Sequence, residues 1–334
     1  MNVVPGLLLA ATALCAQPRL DFLNHGRPML DAHNCYPYDG RWADRIDRAL
    51  SAGFPISIEQ DLAWYIEPAS AKGRAVIAHD AKAVTGAEPT PRDHFFERVR
   101  PIVERALKEG DRNRWPLIIL HLDFKTNDTP LLHAAWDLLG DYEAWITTAR
   151  QSADPHVLTA FDPKPILVLT EDSDAQEEVF FRRIPVGEKL RLFGSAHTSK
   201  IPGNTDAERA HFAATLAPDQ LLTERPTNYR RWWNNAWSAV EEGGQVNAGD
   251  WTAGDKARLR SLVQHAHRLG FWIRFYTLDG FSSTEDRGWD RNYNFGSRDA
   301  VLSRWKAALE AGVDLISTDQ YEDLAGVMGR VRIR

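Results

Sequence analysis

The sequence has little cysteine, no excess of basic residues and no apolar run long enough to cross a membrane. Its two cysteines are Cys15 and Cys35, and removal of an N-terminal segment would leave Cys35 alone. No internal disulfide could then form, so the fold must depend on packing. A lone cysteine also offers no thiolate set for zinc. The formal net charge of −6 argues against nucleic acid as a partner, because binding a phosphate backbone requires clustered Lys and Arg.

Internal repeats, low-complexity linkers and a Pro/Ser-rich boundary are also missing. We therefore predict one domain in the 334 residues. Hydrophobic residues make up 43% of the chain and charged residues 26%, which is typical of a globular protein with a substantial core. Twelve Trp are many for this length, and they suit either a core or an aromatic cleft for lipids or sugars.

The N-terminus carries the pattern of an export signal. Residues 7–15 are apolar but too short to span a bilayer, and small residues follow where a signal peptidase would cut. We predict a cleaved signal peptide over residues 1–16, a mature domain over residues 17–334, and a secreted or periplasmic location. The first residues lack Lys and Arg, so a buried N-terminal segment and a disordered leader are the alternatives.

Short β-like runs alternate with amphipathic helical stretches along the rest of the chain. The predicted strands are residues 29–34, 56–62, 75–79, 116–125, 165–170, 190–194, 220–223, 271–278 and 313–318. The predicted helices include residues 41–52, 93–108, 131–141, 207–216, 255–269 and 298–311.

This alternation predicts a single (β/α)8 TIM-type barrel. Residues 75–80 follow the second strand too closely for an intervening helix, so we interpret them as an excursion from the loop above that strand. An open doubly wound sheet is the alternative, but no Gly-rich phosphate or dinucleotide loop follows the first strand.

Three carboxylates lie at the ends of predicted strands. Glu59 and Asp61 are two residues apart, so a strand directs both to one side, where they repel unless a cation or a shared proton intervenes. Asp123 ends another apolar run, and strand ends converge at one mouth of a barrel. With the amide oxygen of Asn34, these acids would form an all-oxygen site for one divalent cation, Mg²⁺ or Ca²⁺. The alternative is that Glu59 and Asp61 are spaced by chance and are simply solvated at the end of a strand.

Histidines and a lysine accompany these acids. His33 and His79 each close a β-like run; a lone histidine there is usually structural, whereas two beside a carboxylate cluster suit a general base and a general acid. Lys125, two residues beyond Asp123, suits contact with a phosphate oxygen or a salt bridge at the strand end. His121 lies deeper in the same strand, so we predict that it packs in the core or supports the ligands.

Weaker candidates lie at other strand ends. His197 and Tyr276 are candidates for substrate contact, although a histidine in a loop is commonly a surface residue. Arg230, Trp232 and Trp233 form either a rim for a lipid or headgroup or the packed face of a helix.

The residues that carry a family resemblance are His33-Asn34, Glu59-x-Asp61, His79 and Asp123-x-Lys125. As a set they resemble the PLC-like phosphodiesterase superfamily, which includes glycerophosphodiester phosphodiesterases, phosphatidylinositol-specific phospholipases C and sphingomyelinase D-like enzymes. Residues 273–278 and 312–319 are similar to the seventh and last barrel strands of the glycerophosphodiesterases. The resemblance thus covers residues 30–324.

The resemblance implies a metal-dependent phosphodiesterase that cleaves a glycerophosphodiester or a phospholipid headgroup. It implies His33 and His79 as the acid–base pair, with His33 favoured as the base. It also implies one divalent cation, whose ligands are Glu59, Asp61 and Asp123, with Asn34 facing the metal as in the phospholipase C branch.

The chain departs from the glycerophosphodiesterases at two positions. They carry His-Arg-Gly at the first motif, so Asn34 replaces their phosphate-binding Arg. Asp123 stands where they prefer Glu, and Asp-x-Lys-Thr is more similar to the sphingomyelinase D-like branch. These differences concern the substrate rather than the chemistry.

Other functions are compatible with parts of the sequence. A secreted, non-catalytic barrel that binds a ligand would lack a catalytic histidine or a metal acid, and none is missing. A glycoside hydrolase with Glu59 and Asp123 as its acid pair would leave His33 and His79 unexplained. The expected partners are a small-molecule or lipid phosphodiester and a membrane surface, which the protein would contact peripherally. No oligomeric state is predicted.

Residues 281–294 are polar and contain Gly, as in a mobile lid or a surface loop.

Overall fold

Parallel strands close into a barrel in the computed structural model, which describes residues 28–38, 41–242, 248–282, 284–285 and 294–329. The strands, in chain order, are β1 (Met29–Ala32), β2 (Ile56–Ile66), β3 (Gly73–Ile77), β4 (Ile118–Phe124), β5 (Thr148–Arg150), β6 (Phe161–Asp162), β7 (Ile166–Thr170), β8 (Lys189–Leu190), β9 (Phe193–Ser195), β10 (Arg230–Ala236), β11 (Trp272–Tyr276) and β12 (Leu315–Thr318). The sheet order is β1-β12-β11-β10-β9-β7-β4-β2, and β1 pairs with β2 through Leu30 and Ile56, which closes the ring. The predicted (β/α)8 barrel is confirmed.

The helices follow the strands along the chain. They are α1 (Arg45–Ser51), α2 (Glu97–Glu109), α3 (Thr129–Asp141), α4 (Asp174–Glu177), α5 (Asp206–Thr215), α6 (Pro218–Leu221), α7 (Ala253–Leu269), α8 (Arg298–Ala311) and α9 (Tyr321–Val327). Helix α8 has the predicted bounds because local signals define both ends. The Ser297 hydroxyl accepts a hydrogen bond from the backbone N–H of Ala300, and Gly312 ends the helix with a φ of 79°.

The excursion above the second strand is also confirmed. β3 runs antiparallel to β2, with Leu62 paired to Ile77. The backbone N–H of Ala78 donates to the carbonyl oxygen of Asp61 at 3.0 Å. The chain therefore returns to the barrel mouth immediately before His79.

Two predicted strands are corrected. Residues 220–223 are not a strand, because α6 occupies Pro218–Leu221. The barrel strand of this region is β10, in which Trp232 and Trp233 are both 0% exposed, so neither forms a rim and both lie on a strand rather than on a helix. A strand covered on both faces does not alternate apolar with polar residues, which hid β10 from the pattern. Residues 190–194 are divided between β8, in a small antiparallel sheet with β5 and β6, and β9 of the barrel.

The predicted signal peptide, residues 1–16, and residues 286–293 of the predicted lid lie outside the described residues. Among the helices that are described, none has the length and apolar character needed to cross a membrane.

Candidate active site and metal centre

Three carboxylates meet at the carboxyl ends of two neighbouring strands. β2 and β4 are parallel, with Asp61 paired to Asp123 and Glu59 paired to His121. Alternate residues of a strand face the same side, so the acids share the interior of the barrel. One oxygen from each of Glu59, Asp61 and Asp123 lies within 4.8 Å of the others. The structure thus brings together the three acids predicted as metal ligands.

Asp61 accepts hydrogen bonds from several donors. Its Oδ2 lies 2.6 Å from the Tyr36 hydroxyl, 2.8 Å from His79 Nδ1 and 2.7 Å from Lys125 Nζ. Asp61 is only 1% exposed, and burial raises the pKa of its carboxyl, an effect that His79 opposes and the like charge of Asp123 reinforces. A buried carboxylate beside another carboxylate requires positive charge nearby.

Lys125 supplies part of that charge. Its Nζ lies 2.6 Å from Asp123 Oδ2 and 2.7 Å from Asp61 Oδ2. Burial works against the ammonium form, but Asp61 and Asp123 outweigh it and hold the pKa of Lys125 above its ordinary value. The salt bridge considered for this strand end is therefore present, and contact with a phosphate oxygen stays a prediction.

Glu59 is enclosed by nitrogen groups. Its Oε2 accepts a hydrogen bond from the backbone N–H of Asn34 at 3.0 Å and lies 3.4 Å from Arg274 Nη2 and 3.7 Å from His33 Nε2. Its Oε1 lies 3.7 Å from His121 Nδ1. A hydrogen bond therefore fixes Oε2, whereas Oε1 faces His121 at a longer distance.

A ring of side chains crosses the barrel interior and includes Glu59. Arg274 Nη1 donates to Asn234 Oδ1 at 3.2 Å, and Asn234 Nδ2 lies 3.0 Å from each oxygen of Glu171. Glu171 Oε1 is 2.8 Å from His121 Nε2. His121 Nδ1 in turn lies 3.7 Å from Glu59 Oε1, which closes the ring. His121 is 1% exposed, so it supports the cluster from the core as predicted.

His33 is oriented by an acid from the other end of the chain. Its Nδ1 donates to Asp319 Oδ1 at 2.9 Å, and its Nε2 faces Glu59. Burial works against the charged imidazolium, but Glu59 and Asp319 outweigh it and raise the pKa of His33 to about 9. Tyr276 stacks on this imidazole with ring centroids 6.3 Å apart, and its contact with a substrate stays a prediction.

His79 lies on the solvent side of the cluster. Its Nδ1 donates to Asp61 Oδ2 at 2.8 Å, and its side chain is 38% exposed. The edge of the Tyr38 ring packs on the imidazole at 5.3 Å between centroids. Asp61 thus engages Nδ1, which leaves Nε2 as the ring nitrogen for any proton exchange.

The surroundings of Asn34 fit a hard cation. Its Nδ2 donates to Asp319 Oδ1 at 3.1 Å, which turns its Oδ1 toward Tyr36. The Tyr36 hydroxyl lies 2.7 Å from that oxygen and 2.6 Å from Asp61 Oδ2, so one proton faces two acceptors. The carboxylate and amide oxygens gathered in this corner are the ligands that suit Mg²⁺ or Ca²⁺. The backbone of Asn34 has a φ of 49°, which Asn tolerates better than most residues.

Sequence reasoning missed the roles of Asp319, Asp279 and Arg274. Asp319 follows the last barrel strand directly, and the strand-end rule that found Asp123 could have found it. His33, Asp279 and Asp319 offer atoms within 4.8 Å of one another. Burial and the neighbouring Asp319 raise the pKa of Asp279 to about 7. Arg274 had no local signal, because its partners lie on other strands.

His197 has a different set of partners. Its Nδ1 donates to Asp172 Oδ2 at 2.7 Å, and its Nε2 lies 3.5 Å from both Asp174 Oδ1 and Arg230 Nη2. In the part of the chain that the structure describes, its hydrogen bonds and ion pairs do not reach the three carboxylates. It lies just beyond β9 and is half exposed, so substrate contact by His197 stays a prediction.

Comparisons with known proteins establish no family. No protein-family model and no curated protein matches the chain. A glycerophosphodiester phosphodiesterase from Parabacteroides distasonis is similar in structure, at 11% identity and a TM-score of 0.42, over 91% of this chain and 97% of that one. A Plasmodium falciparum HPPK-DHPS variant with pteroate gives 9% identity and a TM-score of 0.41, over 91% of this chain and 48% of that one. At such low TM-scores these likenesses do not establish a shared activity.

Proposed function

We propose that this protein is a metal-dependent phosphodiesterase. The observation that carries the proposal is the pairing of two imidazoles with carboxylates beside the acidic cluster: His33 Nδ1 with Asp319 at 2.9 Å and His79 Nδ1 with Asp61 at 2.8 Å. His33 also faces Glu59, so the two histidines flank the acids that would hold a cation. A base and an acid on either side of a bound cation suit the cleavage of a phosphodiester.

Each histidine exchanges its proton at Nε2 in this proposal, since a carboxylate engages Nδ1. His33 takes the proton of the attacking oxygen, which belongs to water or to a hydroxyl group of the substrate. His79 protonates the leaving alkoxide; this assignment follows the family resemblance. A divalent cation held by the three carboxylates and Asn34 would polarise the phosphoryl oxygens and offset developing negative charge.

The raised pKa of His33 bears on this assignment. A pKa of about 9 favours the protonated imidazole at neutral pH, which suits the acid role of the reverse assignment. The two assignments make opposite predictions for substrates with an easy leaving group.

The proposed substrate is a glycerophosphodiester or the phosphodiester of a lipid headgroup. Tyr276 would contact it, and the stacking of its ring on His33 supports this contact. Lys125 is a further contact, since its ammonium lies at Asp61 and Asp123, and Asp61 pairs with His79. His197 would contact the part of the substrate that extends over β9. We also propose export and work at a membrane surface, which the N-terminal pattern and the resemblance support.

Chelation tests the metal requirement. The purified chain is assayed with glycerophosphodiesters, phosphatidylinositol and choline lipids, with and without excess EDTA. Turnover is expected to stop in EDTA and to return with Mg²⁺ or Ca²⁺. Full turnover in EDTA would contradict the cation site, and no cleavage of any phosphodiester with either ion would favour the non-catalytic barrel. Phosphorus NMR of the products shows whether a cyclic phosphate precedes the final product.

A further inference from the structure

Lys125 occupies one oxygen on each of two proposed ligands. Its ammonium lies 2.7 Å from Asp61 Oδ2 and 2.6 Å from Asp123 Oδ2. An ammonium carries three N–H donors, so it can satisfy both contacts at once. Each of these carboxylates consequently turns one oxygen toward a protein cation, and the other oxygen is the one available to a bound ion.

Asp61 is restricted further by two more donors. Its Oδ2 also lies 2.6 Å from the Tyr36 hydroxyl and 2.8 Å from His79 Nδ1. Three donor groups surround that single oxygen, and Asp61 is 1% exposed. A cation cannot approach Oδ2 without displacing them, so Asp61 would bind an ion through Oδ1 alone.

Glu59 is restrained in a similar way. Its Oε2 accepts the N–H of Asn34 at 3.0 Å and lies 3.4 Å from Arg274 Nη2. Its Oε1 is 3.7 Å from His121 Nδ1, which is buried and has no hydrogen-bond partner. The oxygen at Oε1 is thus the freer one. Because Arg274 and His121 belong to the ring that crosses the barrel, Glu59 cannot easily rotate to present both oxygens.

One-oxygen ligation distinguishes the two candidate ions. Ca²⁺ takes about 6–8 oxygen ligands and commonly binds carboxylates through both oxygens, whereas Mg²⁺ requires an octahedral set with single-oxygen ligands and retained water. Resting on the proposed function, we propose that Lys125 is a selectivity residue: by holding one oxygen of Asp61 and one of Asp123, it restricts the cluster to single-oxygen ligands and favours Mg²⁺ over Ca²⁺.

Isothermal titration calorimetry of the full chain with Mg²⁺ and with Ca²⁺ tests this proposal. The wild type is expected to bind Mg²⁺ more tightly. In Lys125→Met, Asp123 Oδ2 loses its ammonium partner and allows two-oxygen ligation by Asp123, while Tyr36 and His79 still hold Asp61 Oδ2, so the ratio of Mg²⁺ to Ca²⁺ affinity is expected to fall by about tenfold. Removing a positive charge strengthens the binding of both ions, and the ratio separates that general effect from selectivity.

Two further variants serve as controls. Lys164 has the same spacing from an acid, with its Nζ 3.4 Å from Asp162 Oδ2, but lies outside the cluster, so Lys164→Met should leave both affinities unchanged. Lys125→Arg keeps a cation with several donors and should keep the preference for Mg²⁺. Circular dichroism checks that each variant is folded.

The outcomes separate this inference from the proposed function. Tighter binding of Ca²⁺ by the wild type, or an unchanged affinity ratio in a folded Lys125→Met, would overturn the selectivity role while leaving the cation site intact. If Lys125→Met does not fold, the wild-type ratio and that of Lys125→Arg decide the matter. Binding of neither ion by the wild type would overturn the metal site itself.

Discussion

His33 and Asp319 are 286 residues apart in the chain and are joined by a hydrogen bond of 2.9 Å between His33 Nδ1 and Asp319 Oδ1. They follow β1 and β12, which are paired with Ala32 opposite Thr318, so closure of the barrel sets the contact. Arg45 Nη2 donates to Asp319 Oδ2 at 3.1 Å and holds the carboxylate in place. The acid therefore fixes the orientation of the imidazole.

Replacing this acid tests its role. Asp319→Asn keeps the shape but removes the negative charge that orients His33, so we expect kcat to fall by roughly 10²–10³-fold with a smaller change in KM. Steady-state kinetics with the best phosphodiester substrate measures both. Asp314→Asn is the matched control, because Asp314 pairs with the half-exposed His267 at 2.8 Å, away from the cluster. An equal loss of kcat in both variants would show that the loss does not arise from the pairing of Asp319 with His33.

The two proposed catalytic roles are separable with alanine variants. His33→Ala and His79→Ala are each expected to lower turnover of an alkyl phosphodiester by about 10²–10⁴-fold in a folded protein. A nitrophenyl phosphodiester releases its alcohol without an acid, so the acid variant should retain most of its activity on that substrate. We expect this for His79→Ala.

A surface histidine provides the control. His211 pairs with Glu242 at the surface, so His211→Ala should not change the rate. Near-wild-type turnover of the alkyl substrate in either cluster variant would exclude that histidine from the chemistry. Retained nitrophenyl activity in His33→Ala instead of His79→Ala would reverse the assignment.

Arg274 is expected to stabilise the fold strongly. It is 2% exposed, and its Nε donates to Asp31 Oδ2 at 2.5 Å and its Nη2 to Ser317 Oγ at 2.8 Å. Arg274→Met leaves Asp31 buried without its cation, which should cost about 3–5 kcal/mol in the free energy of unfolding. Urea denaturation at pH 7 measures this.

A second variant identifies the cause. Adding Asp31→Asn to Arg274→Met removes the unpaired buried charge, so part of the lost stability should return. The exposed Arg298, paired with Asp323, is the control, and Arg298→Met should change stability by less than about 1 kcal/mol. If the double variant loses as much free energy of unfolding as the two single variants together, the unpaired charge of Asp31 is not the cause of the instability of Arg274→Met.

His94 should make stability depend on pH in mild acid. Its Nδ1 donates to Gln60 Oε1 at 2.6 Å, and its Nε2 is buried without a partner. Burial, with a smaller contribution from Arg98, lowers the pKa of His94 to about 4. The unfolded chain binds a proton near pH 6.5 and the folded chain only near pH 4, so the stabilisation is complete above pH 6.5 and is lost as the pH falls to 4.

Urea unfolding at pH 7.5 and at pH 4.5 measures this loss. The shift corresponds to about 3 kcal/mol at most, and His94→Gln should lose less stability than the wild type over the same interval. The difference between the two proteins removes the contribution of carboxylates that titrate in both. Equal losses in both proteins would assign the acid sensitivity elsewhere.

Local sequence pattern predicted much of this protein. Helix α8 could be located because Ser297 and Gly312 mark its ends within the chain itself. The acids at 59, 61 and 123 could be grouped because parallel strands direct alternate residues of their carboxyl ends to one mouth. Strand β10 could not, because Trp232 and Trp233 are both buried and the strand shows no alternation.

The sequence by itself identified two imidazoles, three carboxylates, an amide and an ammonium at the mouth of the barrel, but not the roles of Asp319, Asp279 and Arg274. Only the tertiary structure decided how they are paired. Asp319 meets His33 through the register of β12 on β1, and Arg274 meets Asp31 across the interior. Lys125 leaves one oxygen on Asp61 and one on Asp123. Such pairings depend on the register between distant strands, which a local pattern does not encode.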